Sequence, residues 1–146
     1  MARRAIHLAV LLLFLRASTV IALAALPRQL SFEDRVAAQE AIERVYYSYQ
    51  EGATGHFEEA VPRELLERKV RTYLKQSMAL RTLWKSPVSD AQLRRELDRI
   101  SMSTRFPDRL EEIYDALNRD PIIILECFVR PVLVRISQGI CHRQVP

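Results

Sequence analysis

Glycine is scarce. The 146-residue chain holds three, Gly52, Gly55 and Gly139. Strand hairpins and phosphate-cradling loops need glycine at fixed positions, where the backbone takes a positive φ or approaches a phosphate closely. The shortage argues against both, and against Rossmann and P-loop sites in particular. Histidine and cysteine are as rare. His7, His56 and His142 are scattered, and Cys127 and Cys141 are the only cysteines. A zinc site needs about four ligands at spacings such as C-x2-C or H-E-x-x-H. None occurs, so no metal and no other cofactor is expected.

The two cysteines carry little chemistry. A helical stretch from Cys127 to Cys141 would rise about 20 Å, too far for a mutual disulfide, although an oxidising compartment would permit one. Cys127 falls in an apolar segment, where a buried, inert thiol is the default. A cysteine nucleophile would need a nearby base, and the sequence nominates none.

An excess of charge is also missing. Arg3, Arg4 and Arg16 lie in the first 24 residues, which contain no acid; without them the 22 basic residues fall to 19 against 18 acids, a net charge of +1. Nucleic-acid binders keep a basic excess clustered on one face. Here the signs interleave, as in ERKVR and RRELDR, which reads as a solvated helix surface. Residues 107–118 carry Asp108, Glu111, Glu112 and Asp115 against Arg109 alone, and would repel phosphate rather than serve as a recognition helix. No nucleic-acid partner is expected.

What is present is an export leader followed by amphipathic helices. Arg3 and Arg4 form a positive n-region, Leu8 to Leu15 is a continuous apolar run, and Ala22-Leu23-Ala24 fits the small-x-small cleavage rule. Residues 1–24 are expected to be a signal peptide, which places the protein in the periplasm or outside the cell. The competing reading is an uncleaved inner-membrane anchor at residues 8–26, a length near the bilayer minimum but interrupted by Arg16, Ser18 and Thr19.

Hydrophobic residues make up 49% of the chain, enough for one small all-α domain, a bundle of about five helices. After a linker at 25–30, Ser31 reads as an N-cap with Asp34 three residues on. The first helix, to about Gln50, repeats Ala38, Ile42, Val45 and Tyr49. Residues 51–61 read as a loop. Pro62 suits the first turn of a second helix, whose stripe is Leu66, Val70, Tyr73, Leu80 and Trp84, broken by Ser77. Ser86-Pro87 ends it. Ser89 and Gln92 make a capping box for a third helix; Leu93, Leu97 and Ile100 face one way, and Arg94, Arg95, Glu96, Asp98 and Arg99 cover the rest. A short fourth helix carries Leu110, Ile113, Tyr114 and Leu117. Asp120-Pro121 opens a fifth, apolar nearly all round and therefore central, with the second and fourth helices against it. Pro131 should kink it or break one hydrogen bond, and Gly139 reads as its stop. The organisation is thus residues 1–24, a helix and loop at 25–61, a helical domain at 62–138 and a tail at 139–146.

Residues 62–138 resemble the N-terminal helical region of SurA-like periplasmic foldases, the segment that precedes a parvulin prolyl-isomerase domain. The stretches that carry the resemblance are PRELLERKVRTYLKQSMALRTLW at 62–84, VSDAQLRRELDRI at 88–100, PDRLEEIYDAL at 107–117 and DPIIILECFVRPVLVRI at 120–136. The resemblance implies a peptide-accommodating apolar surface and no catalysis, because catalysis in that family belongs to the parvulin domain. The expected function is an exported, chaperone-like peptide-binding module that is not an enzyme, with unfolded or extended polypeptide as partner. Tyr73, Trp84, Tyr114 and Phe128 are the candidate peptide-binding surface, and no catalytic, cofactor or metal residue is nominated. The alternatives are a structural or assembly module, touching the membrane only through an uncleaved leader, and a truncated piece of a longer foldase.

Overall fold

The computed structural model describes residues 29–52 and 55–143, with side chains as far as Gly139. The expected leader and the linker up to residue 28 lie outside the described residues. Of these, 77% are helical and none is in a strand. Six helices, five of substantial length, form a small all-α bundle. They are α1 (Phe32–Ser48), α2 (Phe57–Ala60), α3 (Arg63–Thr82), α4 (Asp90–Ser103), α5 (Pro107–Ala116) and α6, which runs through 121–143 in three joined pieces.

The helix starts follow from local chemistry. At α1 the Asp34 N–H donates to Ser31 Oγ at 3.0 Å and the Ser31 N–H donates to Asp34 Oδ2 at 2.8 Å. Ser89 and Gln92 repeat this reciprocal pattern at α4. Asp120 Oδ1 accepts from the N–H groups of Ile122 and Ile123. Each cap satisfies donors that the first turn leaves without an intrahelical partner. Pro62 stands one place earlier than the sequence reading put it, as the N-cap of α3 in extended conformation. The expected loop at 51–61 contains the one-turn α2. Between α5 and α6 the chain reverses through Asn118 and Arg119, both at positive φ, and the Arg119 N–H reaches back to the Tyr114 carbonyl at 2.8 Å.

Helix α6 answers the proline within it by changing register. Pro121–Ile123 is α-helical, Ile124–Val129 is a π turn, and Arg130–Arg143 is α-helical again. The Arg130 N–H donates to the Leu125 carbonyl, five residues back. A proline at 131 has no N–H to offer and its ring would meet the carbonyl four residues earlier in a simple α-helix; the π turn lies directly before it. Gly139 does not stop the helix, which runs on to Arg143. A glycine is tolerated inside a helix at modest cost when no turn is required of it.

Two buried clusters hold the bundle. The larger joins Ala38 and Ile42 of α1, Leu93 of α4, Leu110 and Ile113 of α5, Leu117 beyond it, and Ile124, Cys127, Phe128 and Val129 of the π turn. The smaller joins Val36 of α1 to Leu66, Val70 and Tyr73 of α3. The expectation for α6 is half met. Its central position holds: α3 packs along its C-terminal part, and α1 and α4 pack on its π turn. α5 lies chiefly against α1 instead, and reaches α6 through the Tyr114 ring, edge-on to Phe128 at 6.4 Å. Glu96 also departs from expectation. It is buried, and its two carboxylate oxygens accept from Arg99 at 2.6 and 2.8 Å.

Candidate functional site

Three helices that are remote in sequence leave a gap where they cross. α1 presents Ile42 to α6, α3 presents Tyr73, and the π turn presents Cys127 and Phe128. Between them lies an open groove of about 520 Å³, with these four side chains as its floor and Pro131 and Val132 of α6 beside them. Gln39, Glu43 and Gln76 are half-buried along its walls, and Thr72 is exposed beside them; Tyr46, Arg68, Lys69 and Arg135, all exposed, form its rim. Lys69 Nζ donates to Glu43 Oε1 at 2.6 Å, and Gln39 donates to the same oxygen at 2.8 Å.

The floor is apolar and uncharged. Burial pushes the Tyr73 hydroxyl up to about 12 and the Cys127 thiol up to about 11. Both stay protonated at neutral pH and supply neither charge nor nucleophile. Cys127 carries a free thiol, 2% exposed.

A charged cluster braces the groove from below. Arg35 of α1 donates from Nη1 to the Tyr73 hydroxyl at 3.2 Å and to Glu126 Oε2 at 3.3 Å. Arg130 donates to both oxygens of Glu126, at 3.0 and 2.5 Å. Burial pushes the Glu126 carboxyl up, but hydrogen bonds and charge from Arg130 and Arg35 outweigh it, and its pKa lies below the ordinary value. The cluster ties α1, α3 and α6 together at three mostly buried side chains. Two smaller recesses flank it. One is lined by Arg35, Leu93 and Leu125, the other by Leu74, Val88 and Ser77, and Glu126 borders both. Ser77, which interrupts the apolar stripe of α3, has a buried hydroxyl without a hydrogen-bond partner.

The four residues named from the sequence do not share one surface. Tyr73 and Phe128 lie on the groove floor. Tyr114 stands behind Phe128, its hydroxyl 3.1 Å from Ser101 Oγ. Trp84 is half-buried beyond the end of α3 and lines none of these recesses. The residues that sequence reasoning missed are those of the rim and wall. Tyr49, read as part of the α1 stripe, is 41% exposed and stacks against the guanidinium of Arg109, whose carbon is 4.0 Å from the ring centre. Phe106 lies 4.8 Å from the same group, and Arg109 Nε is buried without a partner.

Among the described residues no group of three or more histidine, cysteine, aspartate or glutamate side chains is placed to hold a metal ion. No helix there is long and apolar enough to cross a membrane. No family model, curated protein or solved structure matches the chain.

Proposed function

We propose that this chain is an exported, non-catalytic binding module whose groove between α1, α3 and α6 takes unfolded or extended polypeptide. The observation that carries the reading is the groove's build: about 520 Å³, apolar below and polar above. That volume is in the range of ligand sites. An extended chain has alternating needs. Its apolar side chains gain from leaving water at about 25 cal/mol per Å², and its backbone groups still require donors and acceptors. Ile42, Tyr73 and Phe128 meet the first need, and the Gln76 amide with the Gln39 and Thr72 oxygens, whose own protons go to Glu43 and to the Arg68 carbonyl, meets the second. The resemblance of residues 62–138 to the helical region of SurA-like foldases points the same way, and the leader-like residues 1–24 support export.

The test blocks the groove without touching the core. Thr72 is exposed on the wall, so Thr72→Trp lays an indole across the opening. The wild-type chain is expected to slow aggregation of an unfolding client, followed by light scattering, and to bind a labelled unfolded polypeptide. The variant is expected to lose both with an unaltered melting temperature. Equal capture by variant and wild type, or no capture by either, would reject the proposal. The alternative reading, an assembly module, draws on Leu83, Met102 and Phe106, which are 73%, 82% and 59% exposed. Replacing these with serine would dissolve a self-assembly and leave peptide capture intact.

A further inference from the structure

We propose that the groove selects polypeptide segments whose apolar anchors are flanked by aspartate or glutamate, a substrate class that rests on the peptide-binding reading above. The argument is charge complementarity at the rim. Arg68 and Lys69 of α3 and Arg135 of α6 border the groove, against the single acid Glu43. Glu43 is already engaged, by Lys69 at 2.6 Å and Gln39 at 2.8 Å. Arg68 and Arg135 have no carboxylate within ion-pair distance among the described residues, although both are exposed and long.

Other arginines of α1 and α3 are paired within the chain. Arg71 pairs with Glu67, Arg63 with Glu33 and Glu67, and Arg44 with Glu40 and Glu58. The two free guanidiniums bordering an apolar floor are thus placed to meet a partner's carboxylates while the floor takes its side chains. Arginine suits the task, because its planar fork donates two parallel hydrogen bonds to a carboxylate. An acidic amphipathic segment satisfies both features at once. A basic segment would set like charges together over the rim, a specific penalty rather than a missing attraction.

The experiment uses the full chain and two short fluorescein-labelled peptides. They share their apolar residues and differ only in flanking glutamates or flanking lysines. Binding is read by fluorescence anisotropy at low salt. The glutamate peptide is expected to bind about tenfold more tightly, the effect of two exposed ion pairs. The preference is expected to vanish in about 1 M salt, where screening acts within about 3 Å. The double variant Arg68→Glu, Arg135→Glu is expected to invert the preference with an unchanged circular dichroism spectrum. Should it fail to fold, Arg68→Gln with Arg135→Gln is expected to abolish the preference instead. Equal affinity of the two peptides for the wild type would overturn the charge selection and leave peptide binding standing. Binding of neither peptide would overturn the reading beneath it as well. A preference that survives in the charge-altered variant would remove these arginines, and this groove, from the recognition.

Discussion

Phe128 is the residue at which the core and the groove meet, so its truncation tests the architecture directly. Its side chain is 9% exposed. One side packs in the larger cluster with Ile42, Leu93 and Ile113, its ring meets Tyr114 edge-on at 6.4 Å, and its remaining edge reaches the groove floor. Phe128→Ala removes that buried area and leaves a cavity among helices braced from several sides. The cost for such a change is about 3–5 kcal/mol, of which the ring pair accounts for about 1 kcal/mol. Against a total stability of about 5–15 kcal/mol this is a large share. For a domain of this size, about 4 °C is lost per kcal/mol, so the melting temperature should fall by about 12–20 °C in a circular dichroism or calorimetric scan. Phe128→Leu retains much of the volume and should lose less than half as much. A fall of under about 3 °C for the alanine variant would mean that Phe128 does not support the bundle, and would refute the placement of α6 at its centre.

Three further outcomes follow from other parts of the structure. Ser31→Ala and Ser89→Ala each remove a reciprocal cap and should each cost about 1 kcal/mol in chemical denaturation, additively, because the two helix starts share no hydrogen-bond partner. Glu126 has a lowered pKa in the fold, so its contribution is present above the ordinary glutamate value and lost as pH falls through the lower folded value; Glu126→Gln should cost about 2 kcal/mol at neutral pH and flatten the acid limb of the stability curve. Cys127 and Tyr73 are raised to about 11 and about 12, so the unfolded chain releases protons first and stability should decline from about pH 9 upward. Cys127→Ala should shallow that decline, and in a Cys141→Ser background the native Cys127 thiol should react with a disulfide reagent only on unfolding.

Helix starts were legible in the sequence because their causes are local. Ser31 with Asp34, Ser89 with Gln92, and Asp120 with Pro121 each specify a cap within three residues, and each cap forms. The proline at 131 was legible as a disturbance but not in its form. A missing donor is written in the sequence, whereas the choice of a π turn over a kink depends on what packs around α6. Gly139 was misread because a glycine marks a helix end only when the next turn has reason to leave the axis. Glu96 was assigned to the solvated face by type, yet Arg99 one turn on satisfies its carboxylate and lets it be covered. The groove was the least legible part. Ile42, Tyr73 and Phe128 each belong to a stripe that spells core, and only the crossing of three distant helices turns them into a floor. The rim was hidden for the same reason: Arg68, Lys69 and Arg135 look like solvated charges until α3 and α6 are set side by side.

Polar side chains line the groove where apolar ones would close it. Larger apolar residues at 39, 72 and 76 would carry the two buried clusters across the gap and close it. The chain has Gln39, Thr72 and Gln76 there; Gln39 donates to Glu43 and the Thr72 hydroxyl donates to the Arg68 carbonyl, and covering any polar atom left unpaired would cost about 1–3 kcal/mol. Below them the π turn supplies the floor. One extra residue in a turn advances the following side chains by about 100° around the helix; here Glu126 meets Arg35 and Arg130 on one side while Phe128 faces Tyr114 on the other. Cys127 is left between them, directly under the opening. π turns of this kind recur where a helix must present a surface rather than merely fill a core. In this bundle the π turn and the polar residues Gln39, Thr72 and Gln76 border one and the same groove.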